Sequence, residues 1–313
     1  MTLLRSMLYF PANSVRMTVN AVTLPADAVI FDLEDAVSLD DKETARVFAR
    51  DHIRLMKGRG IHTIVRINSL ATGLTTDDLD AIVVKGLDGV MLAKTETASE
   101  VAQLSKMLDK VEKNSALTRN CIEIIPLIES AKGVLNAFQI VSSSRRVVAA
   151  AFGAGDYCRD LGGDITSISR EEIELLYARS SIVNSSRAAG VQAIDTPFLG
   201  LLTDREAFAK EVKLAVQLGF MGKQCIHPSQ IDTVNSSFSP SPQEVDRSRR
   251  IVKAFEEAQA RGLGAISFEG KMVDTMNYRQ AKETLARAQA IEERTNANLR
   301  ASHLNIREIF LRQ

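Results

Sequence analysis

Ile122-Glu123-Ile124-Ile125-Pro126-Leu127-Ile128-Glu129 and Val147-Val148-Ala149-Ala150-Ala151-Phe152-Gly153-Ala154-Gly155-Asp156 are two short apolar runs, each closing on a carboxylate, with a helix-length stretch between them. Neither alternates polar and apolar residues, and continuous apolar character is what a strand buried on both faces of a parallel sheet carries. The same unit recurs outward in both directions. Upstream lie Ser6–Phe10, Ala28–Leu33, Thr63–Ile67 and Gly89–Ala93, and downstream Gln192–Ile194 and Gly222–Ile226. Helix-period segments follow them, clearest at Asp41–Lys57, Thr75–Lys85, Thr97–Lys113, Glu171–Ala189 and Asp204–Leu218. Eight strand candidates, each followed by a helical stretch, predict a closed (β/α)8 barrel rather than an open doubly wound sheet.

The breaker cluster Ser236-Ser237-Phe238-Ser239-Pro240-Ser241-Pro242 ends this pattern. It divides the chain into a barrel over 1–235 and a C-terminal helical extension over 236–313, expected to act as a lid. The extension reads as a helix over about Gln243–Arg261, a Gly-rich connection through Gly270, and a second helix from about Tyr278.

The composition fits a soluble globular enzyme: 313 residues, 45% hydrophobic and 25% charged. Lys plus Arg (39) balances Asp plus Glu (39), so no global field points to nucleic acid or an anionic membrane. No apolar run reaches membrane-spanning length, and the N-terminal stretch lacks a signal-peptide core, so a cytoplasmic protein is expected. Cys121, Cys158 and Cys225 have neither disulfide nor zinc spacing and read as core thiols.

In a barrel the chemistry sits where strands end, because the loops there form the site. The polar residues after the eight runs are Asn13, the Asp32-Leu33-Glu34-Asp35 cluster, Arg66 with Asn68, Lys94, Glu129, Asp156, Asp195 and His227. Glu129 and Asp156 end adjacent strands, and paired carboxylates repel unless a cation or a proton separates them. An all-oxygen donor set with few protein ligands suits Mg²⁺. The alternative is that each acid caps the helix following it. Glu34 and Asp35 are candidates for holding metal-bound water or a base; Asp32 could point into the barrel wall and its neighbours could cap the next helix. Arg66, inside an apolar strand, needs a carboxylate: either substrate, bound at two points, or the acidic rim itself. Lys94 and His227 are equally readable as structural groups or ligand contacts. Gly153-Ala154-Gly155 lacks the spacing of a dinucleotide fingerprint.

Several segments together resemble the citrate lyase β-subunit-like family, which also holds malyl-CoA and citramalyl-CoA lyases. They are Leu8-Tyr9-Phe10-Pro11-Ala12-Asn13 with Arg16-Met17, Phe31-Asp32-Leu33-Glu34-Asp35-Ala36-Val37, Val65-Arg66-Ile67-Asn68, Pro126–Gly133, Phe152–Tyr157, Gly222–Ile231 and Gly270–Asp274. The resemblance implies a trimer or dimer of trimers, Mg²⁺ held by Glu129 and Asp156, and a coenzyme A thioester cleaved to acetyl-CoA and a 2-oxo acid. It implies that Arg66 contacts substrate, that the Pro11–Arg16 loop, with Tyr9 and Lys94 as further candidates, holds the coenzyme A nucleotide, and that Asp274 closes over a neighbour's site. There Asp274 would protonate the thioester enolate; its alternative role is capping a helix near Asn277. A citrate lyase β subunit acting on an acyl-carrier protein, or a non-catalytic coenzyme A-binding protein, are the competing functions. Three positions depart from the family's pattern: Gly155 stands where an acid is usual, Ser130 where Thr is, and Met276 where a proline often is.

Overall fold

The computed structural model describes residues 2–58, 61–165, 168–169 and 171–302, so the far end of the extension, 303–313, lies outside the described residues. Its strands β1 (Ser6–Pro11), β2 (Ala28–Asp32), β3 (His62–Ile67), β4 (Gly89–Leu92), β5 (Glu123–Ile128), β6 (Ala149–Phe152), β7 (Gln192–Asp195) and β8 (Gly222–Cys225) form a closed parallel barrel in sequence order. β1 closes the ring by pairing with β2 (Met7 opposite Ala28) and β8 (Ser6 opposite Lys223). A methyl group on Gly222 would lie 1.8 Å from the Leu4 carbonyl oxygen, so only glycine lets β8 approach the chain entering β1.

The helices are α1 (Val15–Ala21), α2 (Lys42–Gly58), α3 (Thr75–Ile82), α4 (Ala98–Asn114), α5 (Ala131–Leu135), α6 (Ala137–Val141), α7 (Ala154–Asp160), α8 (Ile173–Ala189), α9 (Arg205–Leu218), α10 (Ile231–Ser237), α11 (Pro242–Gln259) and α12 (Thr275–Ser302). Two cores result. Met7, Ala28, Ile30, Ile64, Met91, Ile125, Leu127, Ala149, Ala151 and Ile194 fill the barrel interior. The intervening strand residues, such as Val29, Phe31, Val65 and Val90, pack outward against the helices. This two-faced burial is why the strand runs show no alternation.

The Ser/Pro segment restarts the chain as a helix: Ser241 caps α11 reciprocally with Glu244, and Pro242 occupies the first turn, where its missing N–H is harmless. The expected Gly-rich connection is instead a hairpin, β9 (Ile266–Phe268) paired antiparallel with β10 (Lys271–Val273). Helix α12 begins at Thr275, before the expected Tyr278, because Asp274 caps it: its Oδ1 accepts from the amides of Met276 (2.9 Å) and Asn277 (3.2 Å). Further along α12, Arg287 donates to the Met221 carbonyl (2.9 Å) and Arg294 to that of Ala26 (3.2 Å). Both acceptors precede strands, so α12 is fastened to the barrel end opposite the loops that follow the strands. Among the described residues no helix is long and apolar enough to cross a membrane.

Candidate active site

Strand parity decides which polar residues face the barrel mouth. Asp32, Arg66 and Glu129 continue the interior series Ala28–Ile30, Ile64 and Ile125–Leu127, and they line a cavity of about 390 Å³ at that mouth. Tyr9, Pro11, Asp35, Asp156, Arg159 and Gln224 also line it.

Glu129 is buried, 5% exposed, and its Oε1 accepts the Lys94 amide at 2.7 Å. Lys94 presents that amide from a left-handed backbone (φ 52°), a conformation side chains rarely adopt. Burial, reinforced by the charges of Asp156 and Glu34 and opposed by Arg66, pushes the Glu129 carboxyl up to about 8. Gly153 stands against it: a methyl there would lie 2.5 Å from Glu129 Oε2 and 2.7 Å from its Cβ. The glycine therefore admits the carboxylate and then starts α7, whose first turn carries Asp156. Asp156 is paired with Arg159 through Oδ1 and Nη1.

Arg66 makes the two-point contact that its planar fork predicts, and makes it with Asp32. Its Nε lies 2.7 Å from Oδ1 and its Nη2 2.5 Å from Oδ2, while Nη1 is 3.2 Å from Glu34 Oε2. Asp32, read from sequence as a possible wall residue, thus points into the mouth and also accepts the amides of Glu34 (2.9 Å) and Ala36 (3.1 Å). Burial raises Glu34 above the usual carboxylate range, against the pull of Arg66 and Lys94. Lys94 Nζ bridges Glu34 (2.5 Å) and Asp35 (3.4 Å). Tyr9 underlies the Arg66 guanidinium, 5.2 Å from its ring centre, and donates to Gln224 Oε1 at 2.8 Å. Gln224 in turn donates to the carbonyls of Phe152 (2.8 Å) and Asp195 (3.0 Å), tying β6, β7 and β8 together beneath the cavity.

The other expected site residues lie elsewhere. Arg16 is exposed on α1, and Met17 lines the cavity instead. His227 is exposed and hydrogen-bonded to Ser229. Asp274 is not among the residues lining the cavity of its own chain. Asp195 was expected on the rim, yet it faces outward, fully buried, because its neighbour Ile194 takes the interior parity. It joins Arg179 on α8, Glu211 on α9 and Lys223 on β8. Lys223 Nζ reaches Asp195 Oδ2 (2.7 Å), Glu211 Oε1 (2.5 Å) and the Thr196 carbonyl (2.7 Å), and Arg179 pairs with Asp195 and Glu172. Asp32, Gln224 and this network carried no signal stronger than their places in or beside apolar runs.

Three acids there (Glu172, Asp195, Glu211) face two bases (Arg179, Lys223), so one retained proton balances the charge. Burial, with Glu172 and Asp195 adding to it and Lys223 opposing, pushes Glu211 up to about 7 from an ordinary value near 4.5. A raised acid pKa means the folded state binds the proton more tightly. The associated stability is fully present below about 4.5 and is lost as pH rises through about 7. Glu211→Gln, a mimic of the protonated acid, is expected to flatten urea-denaturation stability between pH 5 and 8.5. It should equal or exceed the parent at the upper end; a variant keeping the parental pH slope refutes the assignment.

The donor set at the mouth fits a hard divalent cation. Among the described residues Glu129 carries one hydrogen bond, leaving Oε2 for the cavity, and Asp156 stands beside it. An ion held by these two carboxylates would complete its shell with water or substrate oxygens, the habit of Mg²⁺.

The model of the HpcH/HpaI aldolase/citrate lyase family matches residues 5–228. The citrate lyase subunit beta of Escherichia coli (strain K12) is 40% identical over 285 residues, 91% of this chain and 93% of that protein. The mitochondrial citramalyl-CoA lyase of Homo sapiens is 30% identical over 300 residues, covering 93% and 87%. The crystal structure of protein CitE from Mycobacterium tuberculosis, in complex with magnesium, acetoacetate and coenzyme A, superposes with a TM-score of 0.70 at 31% identity, covering 91% of this chain and 98% of that one.

Proposed function

The chain belongs to the HpcH/HpaI aldolase/citrate lyase family, and on that premise we propose that it is a cytoplasmic, Mg²⁺-dependent carbon–carbon lyase that cleaves a short 3-hydroxyacyl thioester to an acetyl thioester and a 2-oxo acid. The observation that carries this reading is the Glu129–Asp156 pair at the barrel mouth, one carboxylate buried and raised to about 8, in a cavity that also holds an arginine. The cavity, of about 390 Å³, has room for the reacting carboxylate end of such a substrate, and Pro11 and Met17 in its lining would stand along the thioester arm.

In this reaction the hydroxyl proton leaves, the bond between the carbinol carbon and the thioester's α-carbon breaks, and its electron pair becomes the thioester enolate, which a proton then quenches. Bound at Glu129 and Asp156, Mg²⁺ would supply Lewis acidity toward the substrate's hydroxyl and carboxylate oxygens. The protein's own part is orientation and charge. Arg66, fixed by Asp32 and Glu34 over Tyr9, is a preorganised cation for developing negative charge. The apolar wall of Leu127, Ala154 and Pro197 limits water at the reacting carbons.

The higher identity to a citrate lyase subunit beta (40%) than to citramalyl-CoA lyase (30%) gives weight to a citryl thioester beside the malyl and citramalyl candidates. A panel of malyl-, citramalyl- and citryl-thioesters, each on coenzyme A and on an acyl-carrier protein, tests the reading. Cleavage of none of them in the presence of Mg²⁺ refutes it.

Asp274 completes the proposal as an acid supplied by a neighbouring subunit. In its own chain it caps α12, which Arg287 and Arg294 fasten to the opposite end of the barrel. Mixing inactive Glu129→Ala subunits with inactive Asp274→Ala subunits should restore activity, since some assemblies then join an intact barrel to an intact Asp274. A capping role alone leaves Asp274→Ala active, with a stability loss of about 0.5–2 kcal/mol.

A further inference from the structure

Four carboxylates (Asp32, Asp35, Glu129 and Asp156) line the cavity, so an anionic substrate enters a field of its own sign unless a cation meets it. Two guanidiniums line the same cavity, and they differ. Arg66 has a side chain only 13% exposed and is held by Asp32 and Glu34. Arg159 has a side chain 64% exposed, and among the described residues only its Nη1 is engaged, by Asp156. Its Nε–Nη2 edge, which can grip a carboxylate at two points, is left over. Arg159 follows Asp156 by three residues on α7, so both side chains project from one face of the helix into the cavity.

The candidate thioesters share a carboxylate on the carbinol carbon and differ in one substituent there: hydrogen, methyl, or a carboxymethyl arm. Hydrogen or methyl gives an arginine nothing to bind. We infer that Arg159 is a specificity-determining residue that binds the distal carboxylate of a carboxymethyl arm, so that the substrate is a citryl-type thioester and the released 2-oxo acid a dicarboxylate. The inference rests on the lyase reading above for its substrate but not for its binding test.

That test uses the full chain with Mg²⁺ present. Calorimetry compares oxaloacetate, the product bearing the arm, with pyruvate, which lacks it, on the parent, Arg159→Gln and Arg159→Lys. The parent is expected to bind oxaloacetate more tightly. Arg159→Gln should weaken oxaloacetate on the order of 10–100-fold, the scale of a lost charge-assisted contact, while pyruvate changes by less than about 3-fold. Arg159→Lys should recover part of the loss. The ratio of kcat/KM for citryl-CoA over citramalyl-CoA should fall by the same factor in Arg159→Gln. Equal weakening of both oxo acids would mean that Arg159 acts through Asp156 or on the carboxylate they share, and overturns the inference. So does an unchanged oxaloacetate affinity, or a parent that binds both alike. If no thioester is cleaved, the lyase reading fails, and the oxaloacetate–pyruvate comparison still decides the role of Arg159.

Discussion

Glu129→Gln and Asp156→Asn are expected to fold normally and to lose turnover by about 10³-fold or more, together with the response to Mg²⁺. Both replacements keep shape and remove the negative oxygen that a hard cation requires. Glu129 is the more diagnostic of the two. It is buried, its carboxyl is raised to about 8, and its Oε1 already accepts the Lys94 amide, a bond that the glutamine carbonyl oxygen can keep. Above about pH 8, where the parental carboxyl is ionised, a neutral isostere also relieves the burial of charge, so in metal-free buffer at that pH the variant should melt at or above the parental temperature. Added Mg²⁺ should raise the melting temperature of the parent, which binds it when folded, and leave that of the variant unchanged. Calorimetric Mg²⁺ binding by either variant at the parental affinity would remove these residues from the metal site. A loss of stability without loss of Mg²⁺ binding would return them to helix capping.

Arg66→Lys is expected to lower kcat/KM by roughly 10²–10³-fold although the charge is kept. The guanidinium here bridges two carboxylates: Asp32 through Nε and Nη2, Glu34 through Nη1. It also lies over the Tyr9 ring, 5.2 Å from its centre. An ammonium can satisfy one of these carboxylates but cannot span both while stacking on the ring. The other loses its guanidinium partner, leaving Asp32 only the amides of Glu34 and Ala36, or Glu34 only Lys94 and the Asp35 amide. A stability loss of about 1–3 kcal/mol should accompany the change, as for a buried polar group left partly unpaired. Arg66→Ala should cost more, about 3–5 kcal/mol, because it leaves the buried Asp32 without a cation and Glu34 with Lys94 alone. The kinetic split is informative: a fall in kcat points to charge stabilisation during bond cleavage, and a rise in KM alone to ground-state binding of the carboxylate. Near-parental kcat/KM in the lysine variant would reduce Arg66 to a charge-balancing residue.

The sequence by itself determined the barrel and the addresses of most mouth residues. Eight apolar runs separated by helix-period segments admit few topologies, and each run appears as a strand in ring order. The positions of Glu129, Asp156, Arg66, Glu34 and Lys94 followed from one rule, that polar residues beyond a parallel strand gather at one rim. What the sequence could not determine was the direction each side chain takes there. Parallel barrel strands are buried on both faces, one against the interior and one against the helices, so both faces are apolar and the alternation that would reveal parity disappears. Asp195 and Asp32 both stand at a strand end in the sequence. Only the register of the closed barrel sends Asp32 into the mouth to hold Arg66, and Asp195 outward to Lys223 and Arg179. Asp274 divides between the two: its cap on α12 runs to amides two and three residues further on, a local role the sequence offered beside the catalytic one. Only the tertiary structure places that helix, fastening it to the far end of the barrel through Arg287 and Arg294 and keeping Asp274 out of the lining of its own chain's cavity.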